Sequence, residues 1–441
     1  GKFVYANIRP GSYSRSLTKV RKNESIAPKL LEPEKFGLQY NSIAPKLEQN
    51  ANTGLPLTCA FYGTGDRGGA PGESSVKTVT EEMQANDSSD VDVKSVSSVE
   101  LFEIMDNELS EAQKVILPEW SNELLLTDHG VGSYTSRAVG KRWNKRVEQL
   151  ADAAERSAVA ADWLGLADYP HNVINTSWKR AIAHQFHDDI TGTSFQVCYK
   201  RNWNDYMLSQ NQLAEEYRAG SAAVVSQMDT SFSKGVAVAV TNPLQAQGLR
   251  CETVTARVKL PNDTKYIQVL DAAGKAVPSQ VVSVCKNTTE IAFAASVPSV
   301  GIAVYDVQPA DKPYEDTAAL RISSTSMENS KLRVMLNANG DICELFDKKL
   351  GKNVLSGVVS LALFDYKGSK AWPAWELTYN ELAVPPREYA RNPKIKILEY
   401  GPARAAIEVT RTAGPSKFTQ IVSLDANGDT VKVYNEVDWR S

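Results

Sequence analysis

Cysteine is scarce and unpatterned in this chain. The five residues at 59, 198, 251, 285 and 343 form no Cys-x-x-Cys pair, and their odd number leaves at least one thiol without a partner within the chain. Neither a zinc knuckle nor a disulfide scaffold is expected. Excess charge of one sign is missing too: a formal net charge of −3 argues against a polyanion-binding surface, so nucleic acid is not an expected partner. No run approaches the roughly 18 apolar residues that a spanning helix needs, so no membrane partner is expected either. The chain also lacks an initiator Met and a signal sequence. Because Gly1-Lys2-Phe3-Val4-Tyr5 begins like the middle of a strand, the chain reads as a part of something longer, and the missing targeting signal carries no information.

What is present is globular in composition, with 42% hydrophobic and 23% charged residues over 441 positions. That length exceeds one ordinary core and predicts two to four folding units. In the first section a short apolar run from Leu57 to Phe61 leads into a glycine-rich loop from Gly63 to Gly72, followed by a helical stretch from about Ser75 to Gln84. Val91 to Val96 then alternates like a strand, and Val99 to Asn107 reads as another short helix. This β-loop-α-β order predicts parallel strands whose carboxyl-end loops carry the chemistry. Two copies of Ser-Ile-Ala-Pro-Lys-Leu, at Ser25 to Leu30 and Ser42 to Leu47, are a local duplication rather than a solenoid.

From Ser133 to about Gln227 the period becomes that of long helices. Val139, Trp143, Val147, Leu150, Ala154 and Ala158 recur every three or four positions, with neither Gly nor Pro between Lys141 and Leu164. Ile174, Trp178, Ala181 and Ile182 begin a second helix after Pro170, and Tyr199, Trp203, Tyr206, Leu213 and Tyr217 mark a third. Short connections imply an antiparallel three-helix bundle, with these stripes as its core. Beyond about Lys234 the chain reads as short strands, with hairpin signals at Asn339-Gly340 and Asn427-Gly428. Ile322 to Ser326 is expected to lead from a small β domain into a larger β-sandwich, and Val431 to Trp439 still alternates like a strand.

The most informative stretch is His184-Gln185-Phe186-His187-Asp188-Asp189-Ile190-Thr191-Gly192-Thr193-Ser194, which puts two of the four histidines beside two acids at the end of a helical pattern. With one helical turn between them, His184 and His187 can share a face, with Asp188 one step further round. Such a group suits a divalent metal or a charged transition state. The plainer reading is that Asp188 or Asp189 helps turn the chain while Thr191-Gly192-Thr193 forms the turn and caps the next helix. Asp66, the one acid within the glycine-rich loop, is by itself a solvated turn residue, and no Lys-Ser/Thr follows to make the loop a phosphate cradle. His129 reads equally as a surface histidine and as a substrate contact. Tyr134, Thr135 and Ser136 are expected to start and cap the first long helix.

Taken in order, several of these pieces resemble glycoside hydrolase family 38, the retaining α-mannosidases, and its bacterial branch in particular. They are "YGTGDRGGAP" from Tyr62 to Pro71, "HGVGSYTSR" from His129 to Arg137, "HQFHDDITGTS" from His184 to Ser194, the segment from Glu328 to Leu355, and "NEVDW" from Asn435 to Trp439. The resemblance implies a multidomain α/β, α and β protein. Its parts would be the end of a seven-stranded-type α/β catalytic domain (1–127), the three-helix bundle (128–230), a small β domain (231–320) and the start of a large β-sandwich (321–441).

The resemblance also implies a zinc ion (Zn2+) in the mannose site, with His187 as the ligand from the bundle and Asp188 near the bound sugar. Asp66 would be the general acid/base, and His129 would line the sugar site. Arg67 and Ala70 stand where the family pattern has glycines, Gly130 where it has Trp or His, and Phe186 where the animal enzymes have the first of two adjacent histidines. The family's His-x-Asp-Pro-Gly-Trp motif and its nucleophile-bearing Trp-x-x-Asp segment are not found in these residues, so the chain is expected to be inactive by itself, with an incomplete zinc ligand set. The expected substrate is a mannose-containing oligosaccharide. A reading of another class is a non-catalytic carbohydrate-binding or scaffolding polypeptide of the same fold, for which Trp372, Trp375 and Tyr379 are the aromatics to watch, with core or interdomain packing as their plainer role.

Overall fold

A computed structural model describes residues 5, 14–15, 47, 50–52, 54–55, 57–64, 68–88, 91–121, 130–286, 288–315, 320–365 and 372–440. Asp66, His129 and, apart from Leu47, both copies of the duplicated hexapeptide lie outside them. The chain divides into two compact units, Gly1–Leu124 and Leu125–Ser441. It mixes helices with several antiparallel sheets.

In the first unit, β1 (Ser14–Arg15) and β2 (Gly63–Thr64) form a two-residue antiparallel ladder. Helices α1 (Glu73–Gln84), α2 (Ser98–Glu108) and α3 (Glu111–Val115) follow. The last two start at Ser97 and Ser110. Each hydroxyl accepts an N–H three residues on, while Glu100 or Gln113 reaches back, the reciprocal pairing that satisfies two orphan donors. The two expected helices are present, but the strands expected at Leu57–Phe61 and Val91–Val96 are not, and no parallel pair occurs among the described residues. The reason is visible in the backbone partners. Asn86 accepts from Val93 N–H at 3.0 Å and donates to Val93 O at 3.1 Å, and Asn50 donates to Leu57 O at 2.6 Å. Side-chain amides take bonds that a neighbouring strand would otherwise make.

The second unit begins with three long helices, α4 (Ala138–Trp163), α5 (His171–Ala183) and α6 (Gln196–Val225). Their shared core is Val147, Ala151, Ala154, Ala158, Ile174, Ala181, Tyr206 and Leu213. The alanines let backbones approach closely. A Cβ on Gly220 of α6 would come within 2.8 Å of the Ser157 backbone, so a small residue is required there. The predicted stripes are not wholly core: Val139 is 38% and Trp203 39% exposed, because they lie at the rim, where Trp203 meets Trp143 edge to face at 6.0 Å.

After α6 come β3 (Val236–Asn242), β4 (Leu249–Val258), β5 (Tyr266–Leu270), β6 (Ala276–Val277), β7 (Ser279–Cys285), β8 (Thr288–Pro298) and β9 (Gly301–Ala310). They form two sheets, ordered β3-β9-β5-β6 and β4-β8-β7, which share one apolar core through Ile267, Val269, Ile291, Phe293, Tyr305 and Val307. A further core joins strands within 321–353 to those within 391–438, and includes Val334, Leu336, Ile407, Val409 and Val422. The hairpin at Asn339-Gly340 is present, with Gly340 at φ +74, a backbone that suits glycine.

Candidate functional site

Helix α5 ends at Ala183, with His184 as its C-cap, and α6 starts at Gln196. The segment between them is an irregular turn whose shape depends on Gly192. Its φ is +83, and a Cβ there would stand 2.5 Å from Ser136 O. Both the left-handed backbone and the close approach exclude a side chain. Thr191 and Thr193 hydroxyls bond each other at 2.8 Å and reach back to the carbonyls of His187 and Asp188. They do not cap the next helix, as the sequence suggested; the N-cap of α6 is Phe195, with no side-chain cap bond. The hydroxyls are taken up inside the turn, on carbonyls of the turn's own backbone.

A second turn, residues 130–137, lies against the first. Lys141 ties the two together by donating to Ser136 O at 2.6 Å and Ile190 O at 2.8 Å, and partial burial lowers its pKa. Tyr134, Thr135 and Ser136 do not cap α4. The N-cap is Arg137, at φ 49, while Ser136 Oγ instead donates to Ala374 O at 2.6 Å. The guanidinium of Arg137 sits 4.1 Å from the Tyr199 ring centroid, a cation–π contact. Tyr199 accepts the Ser194 N–H at 2.9 Å and donates to Asp188 O at 3.3 Å, and burial raises its pKa. A third layer closes behind: Gly132 N–H donates to Trp375 O at 2.7 Å, and a Cβ on Gly132 would be 2.8 Å from Glu376 O. Trp375 is half-buried here, whereas Trp372 is 56% and Tyr379 80% exposed, so neither of the latter two is a core residue.

His184 and His187 do not share a face. The helix stops before them, and His184 turns inward, where Nδ1 lies 2.7 Å from Asp189 Oδ2 and Nε2 lies 3.1 Å from Asp205 Oδ2. An imidazole between two carboxylates donates from one nitrogen when neutral and from both when protonated. Asp189 is held in turn by Asn202, whose amide donates to Oδ1 at 2.7 Å. His187 is on the outside, its side chain 73% exposed, with Nε2 3.7 Å from Asp188 Oδ2 and its ring 4.3 Å from that of Phe186.

The structure therefore brings His187 and Asp188 together, and Asp66 and His129 fall outside the described residues. Asp205 and Lys141 were not singled out by sequence reasoning, and Tyr199 was read only as part of the core stripe of the third helix. Asp205 does interrupt the apolar stripe just before Tyr206, but a lone acid on a long helix is ordinarily a solvated one. An exposed imidazole beside a carboxylate offers the right donor types for zinc. A tight site takes three or four protein ligands, and among the described residues no group of three or more His, Cys, Asp or Glu is placed to hold a metal.

Residues 131–224 match the alpha mannosidase middle domain, and residues 327–441 match the glycosyl hydrolases family 38 C-terminal domain. Alpha-mannosidase G of Dictyostelium discoideum is 21% identical over 86% of this chain and 36% of its own length. Human alpha-mannosidase 2C1 is 23% identical over 92% of this chain and 36% of its own. The chain thus spans about a third of the length of these relatives. The crystal structure of an alpha-mannosidase from Enterococcus faecalis V583 superposes with a TM-score of 0.59 at 16% identity, covering 84% of this chain and 49% of that one, which shows a shared fold. The turn carrying His187 and Asp188 lies inside the middle-domain match and the Trp375 layer behind it inside the C-terminal match, and together with the relatives these matches support a fragment of a glycoside hydrolase family 38 α-mannosidase.

Proposed function

We propose that the protein is a retaining, zinc-dependent α-mannosidase that removes terminal α-linked mannose from glycans. The observation that carries this reading is the pairing of His187 with Asp188 on an exposed turn held rigid from beneath. His187 would be a zinc ligand, with the rest of the ligand set supplied by other residues of the site. Bound zinc would supply a Lewis acid toward sugar hydroxyls, rather than activate a water. Asp188 would accept a hydrogen bond from a sugar hydroxyl, and His129 would contact the same sugar. Asp66 would protonate the leaving glycosidic oxygen and then deprotonate the water that releases the sugar. A retaining mechanism also requires a second carboxylate about 5–5.5 Å from the first to form the glycosyl-enzyme, and none of the described residues is assigned that role.

In domain terms we read 1–127 as catalytic α/β, 128–230 as a three-helix bundle, 231–320 as a small β domain and 321–441 as the start of a β-sandwich. The exposure of Trp372 and Tyr379 favours a second reading, a non-catalytic carbohydrate-binding protein of the same fold. Turnover separates the two. The full-length protein should hydrolyse an aryl α-mannoside, and Asp66→Asn should slow substrates with poor leaving groups far more than activated ones. Binding of mannose-containing glycans without hydrolysis would favour the second reading, and equal loss across leaving groups would remove Asp66 from the acid/base role.

A further inference from the structure

We infer that Asp205, acting through His184, is a positioning residue for the His187–Asp188 pair. The inference rests on the mannosidase reading for what the pair does, and on geometry alone for how it is held. His187 and Asp188 project from an irregular turn, so their placement depends on how firmly the backbone on either side is fixed. Residues 184 and 189 flank them, and both are pinned. The His184 ring is buried, lies 5.3 Å from the buried Tyr206 ring, and meets Asp189 on one nitrogen and Asp205 on the other. Asp189 has a second anchor, because Asn202 is 1% exposed and donates to its other oxygen at 2.7 Å. Asn202 and Asp205 both belong to α6, whose own apolar residues are locked in the helical core.

The span from 184 to 189 is thus clamped to one rigid helix at both ends, with the two exposed side chains in the middle. Asp205 itself touches neither of them. Partly buried polar chains of this kind hold orientation only while each member is satisfied, and removing one partner loosens those that depend on it. Fixing a binding group from behind in this way is what converts an exposed imidazole and carboxylate into oriented ones.

The test compares Asp205→Ala and Asp205→Asn in the full-length protein. The Asn side chain keeps an oxygen within reach of the His184 ring, and the Ala side chain does not. Asp205→Ala should raise amide hydrogen exchange across residues 184–194 by about tenfold or more, with α4 unchanged. It should also lower kcat on an aryl α-mannoside and zinc retention against a chelator by about tenfold each, with KM within about twofold. Asp205→Asn should restore all three to within about threefold of wild type. Unchanged exchange in the turn would overturn the proposal, as would faster exchange with wild-type kcat and zinc retention, or an Asn variant as damaged as the Ala one. If the wild type holds no zinc and turns over no mannoside, the mannosidase reading fails by itself, and the exchange measurement still decides whether Asp205 pins the turn.

Discussion

Two segments of this chain carried the sequence reading of its candidate site, and they are built in different ways. The turn at residues 184–194 is held from three directions: the Lys141 side chain and the Ser136 backbone on one side, the Tyr199 and Asn202 side chains on another, and the buried His184 beneath. The described part of the glycine-rich segment, residues 57–64 and 68–72, has a two-residue ladder, a few local bonds and glycines at which a Cβ would meet nothing nearer than 3.6 Å. Gly192 and Gly68 both have left-handed backbones, at φ +83 and +65, yet a Cβ on the first would strike Ser136 while a Cβ on the second meets nothing within 4 Å. Equally recognisable motifs can thus rest on tertiary packing in one place and on local backbone freedom in another.

The largest effect should come from removing the exposed member of the packed turn. On the proposed zinc-dependent mannosidase reading, His187→Ala in the full-length protein should lower turnover on the order of a hundredfold and reduce zinc occupancy. Stability should change by less than about 0.5 kcal/mol, because the side chain is mostly exposed and no core contact depends on it. Metal analysis with circular dichroism reads both. Full zinc and full activity in the variant would remove His187 from the site.

Next in size is Gly192→Ala. Backbone strain of about 1–2 kcal/mol and a clash of similar size should together lower stability by about 3 kcal/mol in urea unfolding followed by helical ellipticity. A loss below about 1 kcal/mol would show that the two turns are not packed as described.

A buried carboxylate away from both motifs calibrates what backbone hydrogen bonding contributes. Burial by itself would raise the pKa of Asp306, but bonds from Lys234 N–H, Gln308, Ser233 and Gly235 N–H outweigh it and hold the carboxyl below its ordinary value. A depressed folded-state pKa gives stability that is fully present above the unfolded value and is lost as pH falls through the folded one. Asp306→Asn should therefore cost about 2 kcal/mol at neutral pH. That difference should shrink as pH drops below about 4, measured by urea unfolding across pH. A difference that persists at low pH would assign the effect to shape rather than charge.

The smallest effect is expected in the open loop, where Gly68→Ala should cost about 1 kcal/mol or less, from backbone strain alone. A larger loss would erase the contrast with Gly192.

The sequence made the three long helices legible, because a 3.6-residue apolar period over a stretch free of Gly and Pro is a local property. It also made the His187–Asp188 pair legible as a motif. Alternation and apolar character at 57–61 and 91–96 were misleading for the opposite reason. A strand exists only with a neighbour, and there the described backbone found side-chain partners such as Asn86 instead. His184 was read onto the same face as His187 because spacing assumes the helix continues, and the helix ends at Ala183, before either of them.

By itself, then, the sequence determined the elements whose energetics are local, the helical stripes, the tight turns at glycine and the adjacency of His187 and Asp188. Only the tertiary structure decided which histidine faces outward, since that depends on Asp205 and Asn202 being carried to the turn by a helix that packs for unrelated apolar reasons. Only it decided that Gly132 and Gly192 must lack side chains, because the carbonyls they approach, at Glu376 and Ser136, come from other parts of the chain. Local patterns set which segments can form, and long-range packing and hydrogen-bond satisfaction set which side chains are left free to act.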